Sequence, residues 1–239
     1  MESPAFPLVS VIVPTLNAAR FLRDALASVD AQTYKPLEII VIDGPSSDET
    51  PRIAQEFPRV RYLQQRGAGM WNALNEGFDA ARGEFIAMIS SDDLWTPDKV
   101  QLQVEYLREH PTVEYVFGLT KFVLLEGEQA PRAFRAELFE EPREAIVLEA
   151  MLARKTLLER VGKFDESFEV LADVDWFARL KNLNATRALL PHVVLQKRIH
   201  ANNLSTAPKK GATIQHEMLT AMHAQLRRKR ETRTNDVRT

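Results

Sequence analysis

The sequence lacks several features that would assign a function at once. It contains no cysteine, which excludes disulfide bonds, thiolate zinc sites and a cysteine nucleophile. No run approaches the roughly eighteen consecutive apolar residues that a membrane-spanning helix needs. A Gly-x-Gly-x-x-Gly fingerprint and a Walker lysine motif are also missing, which argues against a dinucleotide-dependent oxidoreductase and a P-loop ATPase.

The chain also lacks a strong charge imbalance. Its 31 lysines and arginines oppose 33 aspartates and glutamates, a net charge of −2, so no global positive field attracts nucleic acid. The N-terminus carries Glu2, and Pro14 interrupts its apolar run Leu8–Val13, so we expect no signal peptide. With 239 residues, 45% of them hydrophobic, we predict one domain with an appendage. The absence of cysteine fits a reducing compartment, and we expect a cytoplasmic location.

The first half of the chain alternates apolar runs with amphipathic stretches. The apolar runs predict strands at Leu8–Pro14, Leu37–Asp43, Val60–Leu63, Glu84–Ile89 and Val113–Gly118. Helical periodicity separates them, with Asn17 as the expected cap of the first helix and Met70–Arg82 as another helix. This alternation predicts an α/β fold with a mainly parallel, Rossmann-like sheet that carries helices on both faces.

The second half is less regular. Lys121–Val147 has no clean period and is expected to hold a small antiparallel edge strand and a long loop. Glu149–Val161 and Asp173–Leu183 look helical, whereas Leu189–Ile199 looks extended. An amphipathic C-terminal helix and a basic tail are predicted from Ile214, Met218, Met222 and Leu226, followed by Arg227–Arg230. The tail is either solvated or a peripheral contact with the inner face of a membrane.

Acidic residues follow the predicted strands at the edge where ligands bind in open parallel sheets. Asp43 ends the second strand, and Asp92 and Asp93 come shortly after the Glu84–Ile89 strand. Adjacent carboxylates raise each other's pKa, and a divalent cation that prefers oxygen ligands, Mg²⁺ or Mn²⁺, relieves the repulsion. Their joint placement indicates a metal–diphosphate site, while each motif alone is equally consistent with a turn or a helix cap.

Four sequence blocks resemble family-2 glycosyltransferases of the GT-A fold, in the same order, between Val9 and Ser205. They are SVIVPTLNAARFLRDALASVDAQTYKPLEIIVIDGPSSDET, GAGMWNALNEGFDAARGEFIAMISSDD, VGKFDESFEVLADVDWFARL and RIHANNLS. The resemblance implies one GT-A catalytic domain over residues 1–205, with a nucleotide-binding half, 1–118, and an acceptor-side half, 119–205. The predicted helix and tail, 206–239, follow it.

The resemblance also implies roles for residues on the donor side. Pro14 and Thr15 match positions that line the base and ribose pocket. Asp43 matches the acidic residue that pairs with the base, usually uracil. Asp92 matches a residue near the ribose or the metal.

Three further matches concern metal binding and catalysis. Asp93 matches the metal-binding aspartate, and His200 matches a histidine that approaches the metal or the diphosphate in some members, so the implied cofactor is Mn²⁺ or Mg²⁺. Asp173 matches the catalytic base that takes the proton of the acceptor hydroxyl. A free aspartate is a weak base, so we expect burial to raise the pKa of Asp173.

The implied activity is an inverting transfer of a sugar from a nucleoside-diphosphate sugar, most often a UDP-sugar, to a hydroxyl acceptor. That acceptor would be a sugar, a lipid-linked or another hydroxyl compound, in polysaccharide, cell-envelope or glycoconjugate synthesis. Ser90 and Ala172 stand where many members have acidic residues. Ala172 is the main support for an alternative, a catalytically silent sugar-nucleotide-binding or assembly subunit. A nucleotidyltransferase is a further alternative, which would be expected to carry a Gly-rich basic loop after the first strand.

Several residues near the predicted base have structural interpretations. Asp173 is itself a possible helix cap, and Asp165 is expected in a turn. Asp175 is expected to pair with Arg179, four residues further on. Trp176 is expected in the core rather than against a sugar ring.

Overall fold

The computed structural model describes residues 6–130 and 134–201, together with Asn203, Glu217 and Thr220. Within this part of the chain, nine strands and six α-helices follow in the order β1 (Val9–Thr15), α1 (Leu22–Asp30), β2 (Leu37–Asp43), α2 (Thr50–Gln55), β3 (Val60–Gln64), α3 (Met70–Ala80), β4 (Phe85–Met88), β5 (Leu94–Trp95), α4 (Lys99–Glu109), β6 (Tyr115–Leu124), β7 (Arg143–Glu144), β8 (Met151–Arg154), α5 (Lys155–Val161), α6 (Ala172–Asn182) and β9 (Arg187–Ile199).

All nine of these strands belong to one sheet, in the order β3–β2–β1–β4–β8–β6–β9–β5, with β7 paired to β6. β1 is parallel to β2 and β4, β2 is parallel to β3, and β6 is parallel to β9. β8 runs antiparallel to both of its neighbours, β4 and β6. The predicted α/β fold with a mainly parallel sheet and a small antiparallel edge is therefore confirmed. The edge strand β5 is antiparallel to β9, and β7, within the Lys121–Val147 segment, is antiparallel to β6, while a further antiparallel strand, β8, lies inside the sheet.

The central strand β1 is buried on both faces. Val11 and Val13 point to one face and Ser10 and Ile12 to the other, and all four are fully buried. Helix α3 covers one of these faces closely, because a Cβ at Gly77 would lie only 2.3 Å from Ile12 Cγ2. This double coverage explains why the strand is a nearly continuous apolar run in the sequence.

The prediction of a helix over Glu149–Val161 is wrong in its first part. Met151–Arg154 forms β8, and only Lys155–Val161 is α-helical. The segment is rich in helix-forming residues, but the backbone of β8 bonds to β4 and β6 on both sides. This pairing inside the sheet overrides the local helix propensity.

Asn17 does not cap the first helix, because α1 begins at Leu22 with Phe21 as its flanking residue. Asn17 instead adopts a positive φ of 47°. Its Oδ1 accepts the backbone N–H of Ser47 at 2.9 Å, and its own N–H donates to Ser46 Oγ at 2.8 Å. Asn17 therefore joins the loop after β1 to the loop after β2.

The predicted C-terminal helix is described only at Glu217 and Thr220, which are both helical. The remaining residues of that prediction lie outside the described residues: Ile214, Met218, Met222, Leu226 and Arg227–Arg230. None of the helices in the described part of the chain combines the length and apolar character needed to cross a bilayer.

Candidate active site

Three parallel strands bring their carboxyl ends to one edge of the sheet. Thr15, the last residue of β1, pairs with Asp43, the last residue of β2. Ile12 pairs with Met88, the last residue of β4. The segment 90–93 follows β4 after one intervening residue, Ile89, so the acidic residues predicted to end or follow the strands all belong to this carboxyl edge.

Asp43 is fully buried and accepts hydrogen bonds from three hydroxyl groups. Its Oδ1 accepts from Thr15 Oγ1 at 2.8 Å and from Ser46 Oγ at 2.7 Å. Its Oδ2 accepts from Tyr62 OH at 2.8 Å. Burial raises the pKa of Tyr62 to about 12, and the hydrogen bond to Asp43 adds to this rise. The Tyr62 hydroxyl therefore stays protonated and acts as a donor. The buried carboxylate thus fixes hydroxyl groups from three neighbouring segments.

Asp93 is also fully buried, and it lies against the ammonium group of Lys197. Asp93 Oδ2 is 3.0 Å from Lys197 Nζ, and Asp93 Oδ1 accepts the backbone N–H of Arg198 at 2.9 Å. Lys197 Nζ also lies 3.1 Å from Glu149 Oε1, which accepts a hydrogen bond from Ser90 Oγ at 2.6 Å. Both carboxylate oxygens of Asp93 are therefore engaged by groups of the protein.

The pKa shifts of this cluster follow from burial and from the facing charges. Burial raises the pKa of Asp93 to about 7, against the lowering effect of Lys197. Burial alone would lower the pKa of Lys197, but Asp93 and Glu149 together raise it above its ordinary value. Burial opposes ionisation of Glu149, but Lys197 and Ser90 hold its pKa below the usual range. Lys197 is therefore held protonated between carboxylates.

Asp92 differs from Asp93 because its side chain is 23% exposed. Its Oδ2 lies 3.2 Å from His200 Nε2 and accepts a hydrogen bond from Asn203 Nδ2 at 3.0 Å. Among the described residues, Asp92 Oδ1 meets no hydrogen-bond donor. The His200 ring is almost fully buried and packs on Phe21, with 4.6 Å between the ring centroids.

This arrangement differs from the predicted pairing of Asp93 with His200 as metal ligands. Asp93 faces Lys197, whereas His200 faces Asp92. Within the described ranges, no three histidine, aspartate or glutamate side chains come together as a complete metal site. The geometry favours Asp92 over Asp93 as the carboxylate that can meet a ligand.

Asp173 is the second residue of α6 and is half-buried. Its Oδ1 accepts the backbone N–H of Val174 at 2.8 Å. Burial raises the pKa of Asp173 to about 6, the bond from Val174 opposes this rise, and Glu149 adds to it. The shift has the direction expected from the sequence. Because Glu149 and Lys197 both act on Asp173, it belongs to the same electrostatic cluster as Asp93.

The structural interpretations of three neighbouring residues are confirmed. Asp175 is almost fully buried and forms a salt bridge of 3.0 Å with Arg179. Trp176 is fully buried. Asp165 Oδ1 accepts the backbone N–H of Ser167 at 3.0 Å, as in a turn. Asp173 does not cap α6, whose flanking residue is Leu171.

Sequence reasoning missed Lys197, Glu149 and Asn203. Lys197 lies in a run of three polar residues near the end of β9, Gln196–Arg198, where a lysine is usually interpreted as solvated. Its partner Asp93 is 104 positions away in the chain, so no local pattern joins them. Asn203 could have been found, since it lies in the same RIHANNLS block as His200.

Comparison with known sequences gives one consistent family. A profile described as Glycosyl transferase family 2 matches residues 10–155. An uncharacterized glycosyltransferase of Rickettsia typhi is 32% identical over 216 residues, which cover 84% of this chain and 67% of the relative. Another from Rickettsia prowazekii is 31% identical over 209 residues, 82% of this chain and 65% of the relative. The chain thus spans about two thirds of these relatives' length.

Solved structures share the fold. TarS of S. aureus, residues 1–349 in complex with UDP-GlcNAc, has a TM-score of 0.66 at 21% identity, covering 83% of this chain and 60% of that one. The mannosyltransferase PcManGT from Pyrobaculum calidifontis, in complex with GDP-Man and Mn²⁺, has a TM-score of 0.62 at 26% identity. That match covers 87% of this chain and 59% of the mannosyltransferase.

Proposed function

The chain belongs to glycosyl transferase family 2, and from this premise we propose that it transfers a sugar from a nucleoside-diphosphate sugar to an acceptor hydroxyl, with inversion at the anomeric carbon. We propose UDP as the carrier and a sugar, a lipid-linked or another hydroxyl compound as the acceptor. One observation carries the proposal. The partly exposed Asp92 and the base candidate Asp173 both interact electrostatically with the charged cluster that contains Lys197: Asp92 acts on Lys197 and Asp93, and Glu149 and Lys197 act on Asp173.

The donor needs a fixed orientation for in-line attack, and the end of β1 supplies a suitable wall. Pro14 and Thr15 close that strand, and Asp43 lies beside them at the end of β2. We propose that the hydroxyl groups held by Asp43, those of Ser46 and Tyr62 included, face the nucleoside. Asp43 itself would then act by holding this surface in place, because its carboxylate is fully buried.

A divalent cation fits Asp92 better than Asp93. Asp92 Oδ1 is a hard oxygen without a donor among the described residues, and Mn²⁺ or Mg²⁺ commonly combines one or two carboxylates with substrate phosphates. His200 and Asn203 would orient Asp92 from its other oxygen. The ion would supply positive charge to the departing diphosphate.

Asp173 is the proposed general base. It would take the proton of the acceptor hydroxyl while the new bond to the anomeric carbon forms and the bond to the diphosphate breaks. With a pKa of about 6, Asp173 is a stronger base than a free aspartate and is still ionised at neutral pH.

A panel of sugar donors tests this function. Purified protein is incubated with UDP-, GDP- and dTDP-sugars and a panel of sugar and lipid-linked hydroxyl acceptors, with and without Mn²⁺, and release of the nucleoside diphosphate is measured. We expect one donor to be turned over, and we expect Asp173→Asn to abolish turnover while it leaves donor binding intact. Donor binding without release under any condition would favour a silent binding subunit, and absence of binding would overturn the proposal.

A cytoplasmic location and a peripheral membrane contact through the basic tail form a separate proposal. It rests on the sequence of Arg227–Arg230, which lies outside the described residues. Flotation with anionic liposomes, with Arg227–Arg230 changed to glutamine as the comparison, tests it. Equal flotation of both proteins would remove the membrane contact.

A further inference from the structure

A carboxylate from the C-terminal region binds the loop that leads into the base-bearing helix. Glu217 is 6% exposed, and its side chain accepts three consecutive backbone N–H groups. Its Oε2 accepts from Leu171 at 2.8 Å and from Val170 at 3.0 Å, and its Oε1 accepts from Glu169. A single side chain therefore satisfies the backbone donors of residues 169–171.

This contact lies directly before the predicted base. Leu171 is the residue that flanks α6, and Asp173 is the second residue of the helix. No side chain at the flanking position caps the helix itself, and Ala172 has no polar side chain. Since a helix N-terminus carries partial positive charge and unpaired N–H groups, the carboxylate of Glu217 is well placed to stabilise this end.

The same loop is fixed from a second side. Trp71 Nε1, on α3, donates a hydrogen bond to the backbone oxygen of Glu169 at 3.3 Å. The loop is thus held between α3, which packs on the nucleotide-binding strands, and the C-terminal Glu217. Only one residue, Ala172, separates this anchored loop from Asp173.

We infer that Glu217 is a positioning residue for Asp173: by binding the N–H groups of residues 169–171, it fixes the start of α6 and so the base that α6 carries. The inference rests on the proposed function, because it assumes that Asp173 takes the proton of the acceptor. It gives the C-terminal region a part in catalysis although Glu217 itself touches no substrate.

The test compares Glu217→Ala and Glu217→Gln with an exposed control on α4, Glu109→Gln. Glutamine keeps one acceptor oxygen but turns an NH₂ group toward the loop donors, so it is expected to retain part of the function. We expect kcat to fall by between about ten- and a hundredfold for Glu217→Ala, and less for Glu217→Gln, because small misplacements of a reacting group cost about this much. The KM and Kd of the nucleotide-sugar donor are expected to stay unchanged.

Hydrogen exchange of the amides of residues 169–171 gives a readout that does not depend on activity. We expect faster exchange at these amides in Glu217→Ala and unchanged exchange in Glu109→Gln. Folded Glu217→Ala protein with the kcat of the unmodified enzyme would overturn the inference, and so would a parallel loss of kcat and donor affinity. If the unmodified protein turns over no donor, the proposed function fails, whereas unchanged amide exchange refutes the anchoring contact alone.

Discussion

The ammonium group of Lys197 lies 3.0 Å from the carboxylate of Asp93, the residue that the sequence predicts to bind a metal. Glu149 approaches the same ammonium at 3.1 Å. A lysine therefore supplies the positive charge that these two carboxylates require. Removal of one partner from such a buried arrangement is costly, because the remaining charges are left without compensation.

Lys197→Met is expected to lower the free energy of unfolding by about 3 kcal/mol or more, because it leaves Asp93 and Glu149 facing each other in a buried site. Urea denaturation at neutral pH measures the change. The exposed Lys121→Met on β6 is the matched control and should change the free energy of unfolding by less than about 0.5 kcal/mol.

The double variant Lys197→Met/Glu149→Gln separates charge repulsion from loss of packing. We expect it to recover part of the lost stability, since only the Asp93 carboxylate then remains, with the backbone N–H of Arg198 as its donor. A single variant as stable as the unmodified protein would show that the ammonium does not compensate the two carboxylates.

Asp92→Asn is expected to remove the dependence of donor binding on Mn²⁺. The substitution replaces the one carboxylate at this edge whose Oδ1 meets no donor among the described residues, and an amide is a weaker ligand for a hard cation. Titration calorimetry with UDP should show a Kd in Mn²⁺ at least about tenfold weaker than that of the unmodified protein. Asp98→Asn, at an exposed position before α4, is the control. If UDP binding still depends on Mn²⁺ in Asp92→Asn, Asp92 is not the metal ligand.

The fold was predictable where local pattern and tertiary environment agree. The strand predicted at Leu37–Asp43 coincides with β2, because a strand buried on both faces is a nearly continuous apolar run, here Ile39–Ile42. The strand Met151–Arg154 was not predictable in the same way. It has only four residues and runs directly into α5. It forms a strand because it pairs with β4 and β6, which come from earlier parts of the sequence, so no local pattern indicates it.

The candidate site was predictable to the same extent. The ends of parallel strands share one edge, so the sequence could place Asp43, Asp92 and Asp93 there. It could not tell which carboxylate faces outward, because that depends on Lys197 and His200, more than 100 positions away from them. The sequence therefore predicts similar ligand-binding roles for Asp92 and Asp93, although Asp93 is fully buried and Asp92 is partly exposed.

Asp43→Ala is expected to weaken binding of both UDP and UMP by more than about tenfold, because the hydroxyl groups of Thr15, Ser46 and Tyr62 lose their common acceptor. Tyr62→Phe removes only one of these donors and should have a smaller effect. Calorimetry with both nucleotides, with thermal unfolding as a check on folding, measures this. If Asp43→Ala binds UDP and UMP as tightly as the unmodified protein, Asp43 does not support nucleoside binding.

The rate of sugar transfer is expected to fall on the acid side of pH 6, because Asp173 must be ionised to accept a proton and its pKa is about 6. Below that pH, kcat/KM should drop about tenfold per pH unit. Donor affinity measured over the same range separates this loss from a loss of binding. A rate that stays constant from pH 7.5 to 5 would assign the base to another residue.

The raised pKa of Asp173 also affects stability: Asp173→Asn, which is expected to abolish turnover, is expected to stabilise the fold. The pKa of Asp173 is about 6 in the folded protein and 3.8 for an ordinary aspartate, so between these values the folded state binds more protons than the unfolded state. The stabilising contribution of Asp173 to the free energy of unfolding is therefore fully present below about pH 4 and is lost as the pH rises to about 6.

Asparagine does not titrate and keeps an oxygen for the N–H of Val174, so it avoids the cost of a buried charge. Relative to the unmodified protein, Asp173→Asn should gain about 1–3 kcal/mol of unfolding free energy between pH 4 and pH 7.5. Urea denaturation at both pH values measures the gain, and Asp98→Asn should show none. If Asp173→Asn is inactive yet more stable at neutral pH, the carboxylate is retained for catalysis at a cost in folding stability. A loss of stability at pH 7.5 would instead mean that Asp173 holds α6 in place.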